Sequence, residues 1–315
     1  MRVLSLFDGI SCGMVALERA GINVERYDAF EIDKYAIKVS EKNYPQIVHH
    51  GDVFGGNFAD FKGYDLLLGG SPCTYWSIAK TCRETNPDGM GGKLFMEYVR
   101  ALRESECKYF LYENNYSIHQ NIKNFISEKL GVQPIIINSA LVSAQQRKRC
   151  YWTNVPNVEQ PQDKKILLKD ILETNISFGI CITKENKSQT IKAQYSKTSL
   201  ANTQYSGSNG ATMIAEPIRI GQIGKGGQGQ RIYSVVGKSV TLSANGGGQG
   251  AKTGLYKIDL PDGDYIIRKL TPVEAERLQT LPDNYTAGIS NTQRYKCIGN
   301  GWTVDVIAHI LKGGL

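Results

Sequence analysis

The first 155 residues alternate short apolar runs with stretches of helical period, and this limits the fold more than any other feature of the chain. VLSLF gives way to MVALERAG, ERYDAFEI to KYAIKVSEKN, YDLLLGG to LFMEYVRALRE and KYFLYEN to IKNFISEKL, before VQPIIINSA closes the series. Such alternation predicts strands joined by helices, and so a mostly parallel sheet wound on both faces. YDLLLGG and PIIIN are uninterrupted rather than alternating, as strands buried on both faces would be. The expectation is an α/β, doubly wound, Rossmann-like domain over residues 1–155. Two prolines and a polar run in VPNVEQPQDKK break both periods and mark its end, and LPDGD at 260–264 marks a second boundary. Residues 156–265 are expected to form a smaller, mostly β and loop domain. Thr271 and Glu274 make an N-terminal capping box with Pro272 at the first helical position. That helix and WTVDVIAHIL are too apolar to stand alone, so 266–315 should return to pack on the first domain.

Composition matters mainly through where the charge lies. Residues 179–258 hold ten Lys/Arg against two acids, a net of +8, which leaves 27 against 28, or −1, for the other 235 residues. A concentrated basic patch suits a polyanion, because neutralised phosphates release counterions; a solvated basic surface would read the same from charge alone. Within it, residues 221–254 contain 11 of the 33 glycines, interleaved with Gln, Asn, Ser and Thr. Glycine lets a backbone approach a ligand closely, and Gln, Asn and Arg carry donor and acceptor pairs that read base edges. A flexible linker has similar composition, but the strand-like pieces RIYSVV and SVTLSA between the glycines argue against one. No apolar stretch approaches the roughly 18–20 residues that cross a bilayer, and Asp8 ends the first apolar run too early for a signal peptide. We expect no membrane segment and a cytoplasmic location. Seven cysteines with no CxxC pair and only four histidines indicate neither a disulfide framework nor a bound metal.

In a doubly wound sheet, ligands bind at the carboxyl ends of the strands, near the reversal of strand order. Phe7, Asp8 and Gly9 follow the first strand, Glu31 the second and Asp52 the third. An acid at the second strand end suits ribose hydroxyls. Without a third glycine at GxGxxG spacing, an adenosine cofactor lacking phosphates fits better than a dinucleotide; each acid taken singly could equally cap a helix. The fourth strand ends in Gly69, Gly70, Ser71, Pro72 and Cys73, a thiol at the ligand edge, followed by a polar loop and hinge-like glycines at 89, 91 and 92. An inert buried cysteine is the alternative. Glu113 and Asn114 close the fifth strand. Before the last strand, period two would put Gln145, Arg147 and Arg149 on one face, unless that run is a solvated edge.

With these motifs in this order (FDG, SPC, EN, QxRxR and GN), the chain resembles the DNA (cytosine-5) methyltransferases. The resemblance covers roughly two-thirds of the chain, residues 1–155 and 266–315, and places the variable region at the family's target-recognition position. FDGIxxG, GGSPC, GMGGKLFMEY, VSAxxRxR and the Trp302 segment look closest to the animal de novo enzymes, a kinship of the core within a bacterial or phage type of modification enzyme. The resemblance implies the S-adenosylmethionine-dependent methyltransferase fold with a target-recognition domain, and S-adenosylmethionine as cofactor. It makes Cys73 the nucleophile toward C6 of a flipped cytosine, Glu113 the acid at N3, and Arg149 the ligand of O2 with Arg147 nearby. Ser71, Pro72, Asn114 and Gln145 would lie along the DNA, with Gln230 and Arg231 as base readers. Phe7, Asp8, Gly9, Glu31, Ile32, Asp52, Val53, Asn300 and Trp302 would hold the cofactor. Ser11 and Cys12 stand where many bacterial members have glycines, Asn115 replaces a usual valine, and Gly301 with Trp302 replaces a small pair; none of these removes a reacting group.

The implied partner is double-stranded DNA, met by a monomer, and any cognate restriction endonuclease would act without physical contact. RNA is the nearest rival substrate, disfavoured by the basic glycine-rich segment and by the absence of CFT after EN. A non-catalytic DNA-binding relative is disfavoured by the intact Cys73, Glu113 and Arg149. A nicotinamide oxidoreductase fails on the glycine fingerprint.

Overall fold

The computed structural model describes residues 1–77, 83–174, 180–182, 216–223, 228–242, 254–259 and 265–315. The chain divides into two compact units: unit 1 is Met1–Asn138, Lys148–Pro161 and Asn300–Leu315, and unit 2 is Ser139–Arg147 and Gln162–Gly299.

Unit 1 carries β1 (Arg2–Leu6), β2 (Arg26–Phe30), β3 (Val48–His49), β4 (Leu66–Gly69), β5 (Tyr109–Asn115), β6 (Ile135–Asn138) and β7 (Lys148–Thr153) in one sheet of order β3-β2-β1-β4-β5-β7-β6. Neighbours from β3 to β5 are parallel, and β7 runs antiparallel to both β5 and β6. Because β1 lies between β2 and β4, strand order reverses there and opens a crevice at their carboxyl ends. The helices α1 (Cys12–Ala20), α2 (Lys34–Asn43), α3 (Met90–Ser105) and α4 (Gln120–Leu130) alternate with the strands as the periodicity predicts.

Leu66, Leu67 and Leu68 are fully buried, as the unbroken apolar run requires. Leu67 joins Phe95 and Tyr98 of α3 and Ile122 and Ile126 of α4 in one core. Leu68 faces α1, where a Cβ added to Gly13 would lie 2.7 Å from Leu68 Cδ1 and 2.7 Å from the Tyr27 hydroxyl oxygen. PIIIN behaves differently: Ile136 is 45% exposed, because β6 is an edge strand covered on one face only. The glycines read as a hinge open α3 instead. Glu84 accepts from the backbone N–H of Met90 and Gly91, both at 3.1 Å, and a Cβ on Gly92 would collide with the Pro87 carbonyl at 1.7 Å.

Unit 2 contains β8 (Ile180–Ile182), β9 (Arg219–Gln222), β10 (Arg231–Ser234), β11 (Leu255–Asp259) and β12 (Tyr265–Arg268) in the order β8-β12-β11-β10-β9. RIYSVV supplies β10, whereas the described part of SVTLSA, residues 239–242, forms no named strand and makes an isolated bridge from Ser239 to Gln145. The glycine-rich residues 224–227 and 243–253 and the expected boundary at 260–264 lie outside the described residues. Helices α5 (Pro272–Leu278) and α6 (Asn291–Asn300) follow, and α7 (Val304–Lys312) returns to pack on α1 within unit 1. The segment 266–315 therefore does not return whole. Leu270, Leu278 and Ile298 complete the core of unit 2 with Tyr233, Leu242 and Tyr256, and only Asn300–Leu315 joins unit 1. The first boundary likewise falls at Pro161 rather than at 155, and Ser139–Arg147 belongs to unit 2.

The capping box at Thr271 is present, and its acid does more than cap. Glu274 accepts from the backbone N–H of Thr271 at 2.8 Å and of Glu173 at 2.9 Å, and takes both guanidinium nitrogens of Arg268, at 2.7 and 2.6 Å. The Arg268 and Glu274 side chains are 3% and 0% exposed. Removing one partner strands a buried charge, so Glu274→Ala should lower the unfolding free energy by about 3–5 kcal/mol. Chemical denaturation measures this, and a change below about 1 kcal/mol, the scale of an exposed pair, would contradict it.

Candidate active site

The turn after β1 is built from left-handed backbone. Phe7, Gly9 and Ser11 have φ of 59°, 62° and 58°. Such a backbone is costly for a bulky aromatic and persists only where its surroundings over-determine it. Here two carboxylates do so. Asp8 accepts from Ser5 Oγ and Ser11 Oγ at 2.6 Å each and from the Tyr27 hydroxyl at 2.7 Å. Glu31, just past β2, accepts from the backbone N–H of Gly9, Ile32 and Asp33, all at 2.8 Å. Burial pushes both carboxyls above their ordinary range, against the pull of these donors. Asp8, expected at the cofactor, is instead engaged by three hydroxyls that tie the turn to β1 and β2.

Along the same edge, the Asp52 carboxylate accepts from Phe54 N at 3.0 Å and caps its own short turn. Val53 is buried in the core and can offer a ligand only its backbone. Ile32 and Phe54 are 73% and 50% exposed, two large apolar side chains at the ends of neighbouring strands. The sequence reading missed Phe54, and its signal was only an aromatic residue two positions after the Asp52 motif acid.

β4 and β5 pair in parallel with Gly69 opposite Tyr112, so Gly70 and Glu113 sit side by side just beyond the ladder. A Cβ on Gly70 would lie 3.1 Å from the Glu113 carbonyl oxygen, 3.2 Å from Glu113 Oε2 and 3.3 Å from Trp302 Nε1. The chain continues through Ser71 and Pro72 into a 3-10 turn that Cys73 begins. Ser71 and Asn114 do not face outward. They are 4% and 1% exposed, Ser71 Oγ shares a 2.6 Å hydrogen bond with the Tyr112 hydroxyl, and Asn114 Nδ2 donates to that hydroxyl at 3.3 Å. Both brace the strand ends and leave no surface for DNA, whereas Pro72 is exposed.

β7 brings the cation. Its antiparallel register sets Arg149 opposite Asn115, and Arg149 Nε reaches Glu113 Oε1 at 3.0 Å with the two side chains 12% and 13% exposed. Trp302, between α6 and α7, donates its indole N–H to Glu113 Oε2 at 3.1 Å. Asn300 is exposed at the end of α6.

Gln145 and Arg147 do not share a face with Arg149, because β7 begins only at Lys148. Both belong to unit 2 and are buried. Arg147 donates to the carbonyls of Leu242 at 3.2 Å and Gly299 at 3.1 Å. Gln145 donates to the Leu278 carbonyl at 3.3 Å and accepts from Leu242 N at 2.8 Å. Their donors satisfy backbone acceptors that would otherwise be buried unpaired, a scaffolding task rather than contact with substrate. Lys238 is also withdrawn from the basic surface, its ammonium bonded to the carbonyls of Ala140 at 2.8 Å, Ser143 at 3.0 Å and Ile166. Gln230 is exposed beside β10, which Arg231 opens with a buried Nε that meets no hydrogen-bond acceptor among the described residues. Among the described residues no His, Cys, Asp and Glu cluster could hold a metal, and no helix is long and apolar enough to cross a membrane.

The sequence matches the family described as C-5 cytosine-specific DNA methylase over residues 1–313. It is 30% identical over 332 residues to the type II methyltransferase M.HhaI of Haemophilus parahaemolyticus, spanning 98% of this chain and 93% of that one. It is 25% identical over 441 residues to the orphan methyltransferase M.SPRI of Bacillus phage SPR, spanning 99% and 97%. Similar solved structures include the Entamoeba histolytica methyltransferase EhMeth, with a TM-score of 0.70 at 16% identity over 98% and 96% of the two chains. The S. pombe Dnmt2 methyltransferase has a TM-score of 0.64 at 15% identity over 98% and 96%. At such identities these structures establish the fold alone, which is the expected methyltransferase fold.

The half-buried Asp8 makes a prediction about pH. A carboxyl whose pKa is raised by folding binds its proton more tightly in the native state, so the stability tied to it is full below the ordinary carboxylate pKa of about 3.9 and is lost as pH rises through the higher native value. Asp8→Asn removes that loss. Unfolding free energies measured from acid to neutral pH should show the variant gaining on the wild type as pH rises, and a pH-independent difference would refute the assignment.

Proposed function

The chain belongs to the C-5 cytosine-specific DNA methylases and is an enzyme of that class, and from that premise we propose that it methylates carbon 5 of a cytosine flipped out of a short, specific duplex DNA sequence, with S-adenosylmethionine as methyl donor and a covalent bond from Cys73 to carbon 6. The observation that carries this reading is the Glu113 carboxylate, clamped by Arg149 at the carboxyl edge beside the loop that leads to Cys73.

The cofactor side fits the residues present. A carboxylate offers about four lone-pair sites; Glu31 uses three on backbone N–H groups, which leaves one on Oε2 for a ribose hydroxyl. Ile32 and Phe54 supply exposed apolar surface suited to the faces of an adenine ring. The Phe7 and Gly9 turn and the backbone of Val53 complete this edge, Asp52 serves the adenine amine, and Asn300 and Trp302 flank it from the C-terminal segment. S-adenosylmethionine supplies a methyl group on a positively charged sulfur, open to attack by carbon.

Carbon 5 of cytosine is a weak nucleophile until the ring's conjugation is broken. The Cys73 thiolate forms a bond to carbon 6, and the electron pair of the 5,6 double bond moves toward carbon 5 and the N3 side of the ring. Glu113, protonated, passes its proton to N3 as that density builds. Arg149, a donor only, holds the base oxygen O2. Once carbon 5 is methylated, it loses its proton to a base, N3 returns its proton to Glu113, and the bond to Cys73 breaks to restore the ring. Attack at carbon 6 comes from above the ring plane, which stacking blocks in a duplex, so the base must leave the helix. Four other thiols, Cys12, Cys107, Cys150 and Cys297, are buried. Burial pushes Cys107 and Cys150 up to about 11, which leaves them poor nucleophiles.

Target reading falls to unit 2, with lysines of 179–258 on phosphates and Gln230 and Arg231 on base edges. We infer a monomer acting on DNA in the cytoplasm of a bacterial or phage-infected cell, with no physical contact to any companion nuclease.

Three outcomes test this reading. Wild-type enzyme should form a stable adduct with DNA containing 5-fluorocytosine, and Cys73→Ala should lose both adduct and methyl transfer while still binding S-adenosylmethionine; turnover by the variant would reject Cys73. Bisulfite sequencing of DNA from expressing cells would show the methylated motif, and methylation confined to RNA would replace the substrate. Glu113→Gln should bind DNA and cofactor yet methylate about 10²- to 10⁴-fold more slowly. Loss of cofactor binding in that variant would move Glu113 to the cofactor site.

A further inference from the structure

We propose that Trp302 is a positioning residue for the Glu113 carboxyl, and that its indole N–H holds this group in the orientation from which it passes a proton to the base. The inference rests on the reaction proposed above. The carboxylate is bracketed, with Trp302 Nε1 3.1 Å from Oε2 and Arg149 Nε 3.0 Å from Oε1. Neither partner can accept a hydrogen bond, so each takes a lone pair on its own oxygen. Two such donors fix the plane of a group whose terminal torsion is otherwise broad. One lone-pair direction remains on each oxygen, and these are the only directions left for a proton shared with the substrate.

The indole is itself held in place. It starts two residues before α7, where Asp305 pairs with Arg19 of α1 at 2.6 Å. A Cβ on Gly13 would lie 3.6 Å from its Cζ3, and one on Gly70 would lie 3.3 Å from its Nε1. Trp302 therefore spans from the start of α1 to the Glu113 carboxyl, across the end of β4, in space kept open by two glycines. A ring serving only as a wall for the cofactor would not need its single polar atom aimed at Glu113.

The test compares Trp302→Phe, which keeps an aromatic ring without the donor, with Trp302→His, which is smaller but keeps a ring N–H. We expect Trp302→Phe to slow single-turnover methyl transfer about tenfold, the worth of one hydrogen bond to a charged group, with cofactor Kd nearly unchanged. Trp302→His should recover part of the rate. A wild-type rate in Trp302→Phe overturns the proposal, as does a cofactor affinity that falls in step with the rate while Trp302→His does no better. If unfolding curves show that Trp302→Phe does not fold, Trp302→His against Trp302→Leu decides: a faster rate in the His variant at equal cofactor Kd supports the role, and equal rates reject it. Failure of the wild type to methylate DNA would overturn the reaction itself rather than the place of Trp302 in it.

Discussion

Glu113 and Arg149 meet because β7 runs antiparallel beside β5, and the proposed catalytic edge depends on that one pairing. Asn115 sits opposite Arg149 and Glu113 opposite Tyr151, so the acid and the cation lie two rungs apart, with Asn114 and Cys150 between them, and share a face. A slip of one residue would send Arg149 to the other side of the sheet. The parallel partner β4 then supplies the rest, delivering the chain past Gly70 to Cys73. Three strands of two orientations thus bring a thiol-bearing turn, an acid and a donor to one edge, with no metal ligand set among the described residues.

The acids of the adjacent edge show a division of labour. Asp8 and Glu31 are withdrawn from water, which works against their charge, and each meets that burden with three donors. What they secure is the left-handed turn at Phe7 and Gly9, a conformation that the backbone alone would not hold. Asp8 holds it through the hydroxyls of Ser5, Ser11 and Tyr27, and Glu31 through the backbone N–H groups of Gly9, Ile32 and Asp33.

Much of this was legible in the sequence, for a physical reason: period and run length report burial, and burial is what a sheet imposes on its strands. β1, β4, β5 and the helices between them emerged from that signal, as did the motif acids at strand ends and the capping box at Thr271. Direction of side chains was not legible. Gln145, Arg147 and Lys238 look like a basic, polar surface, yet each is buried and bonded to backbone carbonyls, because a folded loop must satisfy its acceptors from whatever donors lie near. Nor does local pattern reveal Trp302 as the partner of Glu113, since 189 residues separate them. The division of 266–315 between two cores was hidden for the same reason: apolar helices show that they need a core, without showing which one.

The packing of α7 on α1 also sets an order of assembly. Arg19 leaves the ribosome early and its partner Asp305 lies 286 residues downstream, so the apolar flank of the first helix stays bare for most of synthesis. Contacts this far apart in the chain close a large loop before they return any stabilisation, which slows folding and lengthens the exposure of unpaired surface. A nascent chain released before α7 would therefore carry a nearly complete sheet with one sticky side, a natural client for chaperones and proteases, and the strands that bear Glu113 and Arg149 would mature only when α7 arrives.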